Sequence, residues 1–97
     1  MDNIFTVKDK TGRVIYLTRE RYKHILKHPD MQNKLENLKE TITNAQTIVE
    51  YELEPDVKYY YRFYKHIESE AKYLRVVVKY LNGECYIITA YFVERIK

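Results

Sequence analysis

Two histidines spaced one helical turn apart, His24 and His28, stand in the N-terminal third of the chain. Apolar positions at helical spacing across residues 19–28 predict an amphipathic helix with both rings on one face. Histidine accepts and donates protons near neutral pH, so the pair is a candidate for general acid and base catalysis. The spacing also fits two metal ligands or two solvated side chains, but Ile25 stands where a zincin-type helix has its catalytic Glu.

Cations and hydroxyls on the predicted strands are the second part of this candidate site. Arg75 and Lys79 share one face of a predicted strand, and Thr89 and Tyr91 share one face of the next. With RNA as substrate, one histidine removes the ribose 2′-hydroxyl proton, the other protonates the leaving 5′-oxygen, and a strand cation neutralises phosphate charge. We therefore predict a catalytic set, without a metal ion or cofactor, of His24, His28, Lys79, Thr89 and Tyr91.

Tyrosine is unusually abundant, with 11 residues and no Trp. The alternation along residues 58–65 places Tyr60, Arg62 and Tyr64 on one strand face. Single-stranded RNA binds to aromatic platforms and cations that follow its backbone, so we predict that these three residues and Arg75 bind RNA. The alternative is that they only cover a solvated sheet face.

The register of the last hairpin decides whether these groups meet. Asn82-Gly83 is a strong signal for a two-residue β-turn. An unbroken two-residue hairpin would place Thr89 and Tyr91 on the opposite face from Arg75, whereas a bulge or a three-residue turn would bring them together. The sequence leaves both registers open.

The predicted elements begin with a hairpin, residues 3–8 and 13–17, followed by a helix that is capped by Thr18 and ends near Pro29. A second helix runs from Pro29 to Asn44. Strands follow at residues 47–53, 58–65, 73–81 and 85–93. We therefore predict one α+β domain, residues 1–97, with the hairpin and two helices packed on one face of a four-stranded antiparallel sheet.

Composition limits the classes of partner. The chain has 97 residues, a formal charge of +3 and a pI near 8.9, which favours a polyanion over a membrane. No apolar stretch approaches a membrane span, and no signal peptide is apparent, so a cytoplasmic location is expected. The single cysteine, Cys85, lies in an apolar strand pattern and is predicted to be a buried side chain rather than a nucleophile.

Five segments together resemble the barnase-EndoU-colicin-RelE superfamily of small endoribonucleases, in particular its phage-associated branch. These segments are residues 13–18, 24–30, 59–64, 74–79 and 87–92. The resemblance implies helices followed by a sheet whose open face holds the active site. It also implies metal-independent RNA cleavage that leaves a 2′,3′-cyclic phosphate, with histidines, a strand cation and the Thr89 and Tyr91 hydroxyls at the site.

The resemblance further implies a toxin or phage-effector setting, with RNA such as tRNA as substrate and a cognate antitoxin or immunity protein as partner. Two other classes remain open. One is a non-catalytic module of the same fold that binds RNA or protein. The other is a subunit or inhibitor that pairs through an exposed strand edge, which includes a homodimer.

Overall fold

Six strands and two α-helices are present in residues 3–96, the part of the chain that the computed structural model describes. The strands are β1 (Asn3–Lys8), β2 (Val14–Thr18), β3 (Thr47–Glu50), β4 (Val57–Phe63), β5 (Tyr73–Leu81) and β6 (Glu84–Val93), and the helices are α1 (Arg19–Ile25) and α2 (Leu35–Thr43). All six strands form one sheet in the order β1-β2-β6-β5-β4-β3. The domain is α+β, but the prediction of a four-stranded antiparallel sheet is wrong.

The two additional strands come from the N-terminal hairpin, which is part of the sheet. β2 runs parallel to β6 through the pairs Ile15–Cys85 and Tyr16–Tyr86, whereas every other strand pair is antiparallel. The sheet is therefore mixed. This pairing leaves Ile15 and Leu17 fully buried, and their removal from water is the physical reason for the hairpin to join the sheet.

A buried carboxylate holds the turn of this hairpin. Asp9 Oδ1 accepts hydrogen bonds from the Thr11 amide, the Thr11 hydroxyl and the Arg13 amide at 2.9, 2.7 and 2.9 Å. Asp9 Oδ2 accepts one from the hydroxyl of Tyr60 on β4, which also bonds to the Tyr80 hydroxyl. Burial would raise the pKa of Asp9, but these bonds outweigh it and the pKa lies below its usual range. The ionised carboxylate thus ties the hairpin to β4, on the far side of β6 and β5 in the sheet.

α1 begins where the sequence predicts and ends earlier. The Arg21 amide donates to Thr18 Oγ1 at 3.1 Å, which confirms Thr18 as the N-cap. The helix ends at Ile25, so His28 lies beyond it. The prediction that His24 and His28 share one helical face is therefore wrong.

The predicted second helix is divided in two. Pro29–Met31 forms one 3₁₀ turn, and α2 begins only at Leu35. Between them Asn33 has a φ of 59°, in the left-handed region that interrupts a right-handed helix. Neither helix in residues 3–96 has the length and apolar character to cross a bilayer.

The helices cover one face of the sheet and leave the other open. Ile25 of α1 and Leu38 of α2 are fully buried in a core with Leu74 and Val76 of β5. Side chains alternate along a strand, so Arg75, between these two core residues, points to the face without helices. We call this second side the open face.

Candidate functional site

A β-bulge in β6 determines which side chains reach the open face. Asn82 and Gly83 form a two-residue turn with φ values of 51° and 79°, and Leu81 pairs with Glu84. Farther along, Val78 pairs with Ile87 but Val77 pairs with Thr89, so Ile88 is an extra residue.

The bulge changes the register for the rest of the hairpin. Tyr91 consequently lies opposite Arg75, and Thr89 lies opposite Val77 on the same face. The structure therefore combines the two-residue turn with the bulge, and the open face receives both hydroxyl side chains.

Arg75 is the centre of a group of tyrosines on the open face. Its Nε donates to the Tyr61 hydroxyl at 2.9 Å, and its Nη1 donates to the Tyr91 hydroxyl at 3.0 Å. Its Cζ lies 4.9 Å from the ring centroid of Tyr59 and 5.4 Å from those of Tyr61 and Tyr91. Arg75 is only 9% exposed. Burial would lower its pKa, but the two hydrogen bonds outweigh burial and raise it, so the side chain stays cationic.

His28, which lies between α1 and the 3₁₀ turn, also belongs to this group. Its ring centroid lies 5.6 Å from that of Tyr91. The residues that follow fix this position, since the Met31 amide donates to the His28 carbonyl at 2.9 Å and the Phe92 amide donates to Asp30 Oδ2 at 3.4 Å. The 3₁₀ turn is thereby attached to β6 beside Tyr91. We call His28, Tyr59, Tyr61, Arg75 and Tyr91 the arginine cluster.

Thr89 adds an unpartnered hydroxyl next to this cluster. Its Oγ1 is buried, and no hydrogen-bond partner for it occurs in residues 3–96. A buried polar atom without a partner costs roughly 1–3 kcal/mol, and this oxygen has almost no surface that a ligand could contact in this conformation.

A cleft of about 590 Å³ opens beside the cluster, lined by residues 49–53, Tyr59 and Arg75. Tyr51 and Tyr59 stack there with centroids 5.5 Å apart and planes at 17°. Burial raises the pKa of Tyr59. Leu53 at the rim is 83% exposed. We call this the β3–β4 cleft.

Two predicted catalytic residues, His24 and Lys79, lie away from the arginine cluster and from its neighbour Thr89. His24 is exposed on α1 and lines a surface depression with Glu20 and Arg21. Lys79 pairs with Glu54 at 3.1 Å and is four residues from Arg75 along β5, a separation of about 13 Å. Of the predicted catalytic set, the structure brings together His28, Thr89 and Tyr91.

The predicted RNA-binding residues Tyr60 and Arg62 of β4, and Tyr64 directly after it, face the helices. Tyr60 is fully buried and bonds to Asp9, so no part of its surface can contact a ligand. Arg62 Nε lies 3.5 Å from Glu40 Oε1 of α2, and the Tyr64 hydroxyl donates to the same oxygen at 2.7 Å. Only Arg75 of the predicted RNA-binding set lies on the open face.

Sequence reasoning missed Tyr51, Tyr59 and Tyr61. The alternation of β4 places Tyr59 and Tyr61 on the face opposite to Tyr60, and this was the available signal. Within residues 3–96, no three His, Cys, Asp or Glu side chains lie close enough to hold a metal ion. Cys85 is buried, and burial raises the pKa of its thiol.

Comparisons of the chain with protein-family models, with curated proteins and with solved structures give no match.

Proposed function

We propose that the protein is a metal-independent endoribonuclease of the barnase-EndoU-colicin-RelE type, with its active site at the arginine cluster. The observation that carries this proposal is a buried guanidinium whose hydrogen-bond partners are neutral hydroxyls, with a histidine ring against one of them. The resemblance of residues 24–30, 74–79 and 87–92 to that superfamily supports the same assignment.

The charge of Arg75 is suited to an anionic ligand. None of the ion pairs found in residues 3–96 involves Arg75, whereas Lys79, Lys58 and Arg62 each have a carboxylate partner. A buried charge without a counterion is costly, and an anion that binds there restores the balance. A phosphate diester of RNA is such an anion, and guanidinium groups bind phosphate with two parallel hydrogen bonds.

His28 supplies the proton transfer in this proposal. Its imidazole takes the proton of a ribose 2′-hydroxyl, whose oxygen forms a bond to phosphorus while the bond from phosphorus to the 5′-oxygen breaks. Arg75 stabilises the additional negative charge on the phosphate oxygens, and water protonates the departing 5′-oxygen. The products are a 2′,3′-cyclic phosphate and a 5′-hydroxyl.

A second candidate function is RNA binding without cleavage by the same cluster. It is favoured by one observation, namely that His24, the expected second proton-transfer group, lies on α1 beside Glu20 and Arg21 and not in the cluster. A toxin setting and a cognate antitoxin remain part of the proposal through the resemblance alone.

The two functions are separated by incubating the purified protein with total RNA and with tRNA in EDTA. We expect wild type and His24→Ala to cleave, and His28→Ala and Arg75→Met to lose at least about 100-fold in rate. His24→Ala is the matched control because it removes an exposed histidine outside the cluster.

The cleaved ends identify the reaction. A cyclic phosphate at the 3′ end is expected from attack by the 2′-hydroxyl, and oligonucleotides without 2′-hydroxyls should remain intact. If RNA binds to the wild-type protein without being cleaved, the RNA-binding function is preferred over the nuclease function. Cleavage that requires a divalent cation would refute the proposed mechanism.

A further inference from the structure

A continuous series of contacts leads from the proposed active site into the β3–β4 cleft. The His28 ring contacts Tyr91, Tyr91 bonds to Arg75, Arg75 lies over Tyr59, and Tyr59 stacks on Tyr51. Arg75 thus belongs to the arginine cluster and also lines the cleft. A ligand group held by Arg75 is therefore adjacent to a volume of about 590 Å³, within the roughly 300–1,000 Å³ typical of small-ligand pockets.

We propose that the β3–β4 cleft is a nucleobase subsite, in which a base of single-stranded RNA stacks on Tyr51 while the adjoining phosphate lies on Arg75. This inference deepens the proposed function and rests on it, because it takes the anion at Arg75 to be an RNA phosphate. It defines the substrate class as unpaired RNA.

The charges along the cleft orient the nucleotide. Arg75 and the exposed Glu52 both belong to the lining of the cleft. Glu50 is also a lining residue, but its carboxylate bonds Lys58 Nζ at 2.6 Å, and Lys58 lies over the Tyr80 ring on the helix side of the sheet. Carboxylates repel phosphate but accept hydrogen bonds from the N–H groups of bases. The phosphate therefore belongs at Arg75, and the Glu52 carboxylate is available to the neutral base.

The aromatic lining supports stacking rather than simple apolar filling. Tyr51 is half-buried in the segment that follows the edge strand β3, and Leu53 projects beyond it. Every base has an aromatic face, so a ring in this position binds bases with little preference for sequence. A base in a duplex is stacked and paired already and would have to leave the helix to enter the cleft.

The test is a binding measurement that does not depend on catalysis. The probe is a fluorescent hexanucleotide of 2′-O-methyl riboses, which cannot be cleaved by 2′-hydroxyl attack, and its anisotropy is followed on titration with protein. We expect Tyr51→Ala to weaken binding at least about fivefold, as the loss of one stacked base predicts. Tyr51→Phe keeps the ring and should stay within about twofold.

Tyr86→Ala is the matched control. Tyr86 is another half-buried tyrosine on a strand, stacked on Tyr16 with centroids 6.0 Å apart, outside the arginine cluster and the cleft. Its loss should leave the affinity within about twofold. An abasic hexanucleotide should bind to wild type as weakly as the complete one binds to Tyr51→Ala.

A second measurement uses wild-type protein alone, so it is independent of whether a variant folds. The same hexanucleotide annealed to its complement should bind at least about fivefold more weakly than the single strand. Equal binding of duplex and single strand, wild-type affinity in Tyr51→Ala, or no binding by wild type would each overturn the subsite. Tyr51-dependent binding without RNA cleavage would support the subsite and refute the nuclease function. His28-dependent cleavage with unchanged binding by Tyr51→Ala would support the nuclease function and refute the subsite.

Discussion

Removal of the Asp9 carboxylate should destabilise the protein by about 3 kcal/mol. In Asp9→Ala, the Tyr60 hydroxyl loses a charged acceptor in a fully buried position, at a cost of about 1.5–3 kcal/mol. The Thr11 and Arg13 amides lose the same carboxylate, but both residues are exposed, and water limits each loss to about 0.5 kcal/mol.

The assay is urea denaturation followed by circular dichroism at pH 7. With a slope of about 1.5 kcal/mol per molar urea, a loss of 3 kcal/mol lowers the midpoint by about 2 M. Asp56→Ala is the control, since that side chain is exposed, and its effect should stay within about 0.5 kcal/mol. A loss under 1 kcal/mol in Asp9→Ala would refute the view that this carboxylate ties the hairpin to β4.

The pH dependence of the loss provides a second check. The pKa of Asp9 in the folded protein lies below its ordinary value of 3.8, so its ionised form contributes stability that is fully present above about pH 4. That contribution disappears as the pH falls through the folded-state pKa. The difference in free energy of unfolding between wild type and Asp9→Asn should therefore be constant from pH 6 to 8 and shrink below pH 4; a difference that grows on acidification would contradict the assignment.

Three further expectations concern Asp30, Gly83 and Cys85. Asp30→Ala removes the acceptor of the Phe92 amide. Ring currents of Tyr91 affect the proton resonances of the His28 ring, so these resonances should shift in the variant. Unchanged resonances would show that Asp30 does not hold that ring in place. Gly83→Ala should cost about 1 kcal/mol in urea denaturation from strain at a φ of 79° alone, because a Cβ there meets no atom within 4 Å. Cys85 should react with a thiol reagent only after unfolding, since burial raises the pKa of its thiol; rapid labelling of the folded protein would contradict its burial.

Local sequence signals predicted the elements better than their assembly. The Thr18 cap, the Asn82-Gly83 turn and the strand signals from residue 47 onward each act within a few residues, and the structure follows them. The parallel pairing of Ile15 with Cys85 joins positions 70 residues apart, and nothing in either segment specifies the partner. For this reason the hairpin was expected outside the sheet.

Only part of the candidate site was predicted, and the reason is the same. His28, Arg75, Thr89 and Tyr91 were selected by residue type, and the open face contains the last three with the His28 ring beside them. The face of Tyr60 was assigned incorrectly, since alternation groups side chains without showing which group faces the helices. That choice depends on how α1 and α2 pack, which is a property of the whole chain.

The extra residue in β6 decides which face the second half of that strand presents. A ladder that ran without a bulge through all residues of β6 would pair Val77 with Ile88, turn Thr89 and Tyr91 toward the helices and leave Arg75 without one of its two hydroxyl partners. Deletion of Ile88 would instead remove the bulge and keep Val77 opposite Thr89, so both hydroxyl side chains would stay on the open face. Hairpins with this bulge and regular hairpins one residue shorter can therefore both carry the site, and hairpin length alone does not identify other chains that have it.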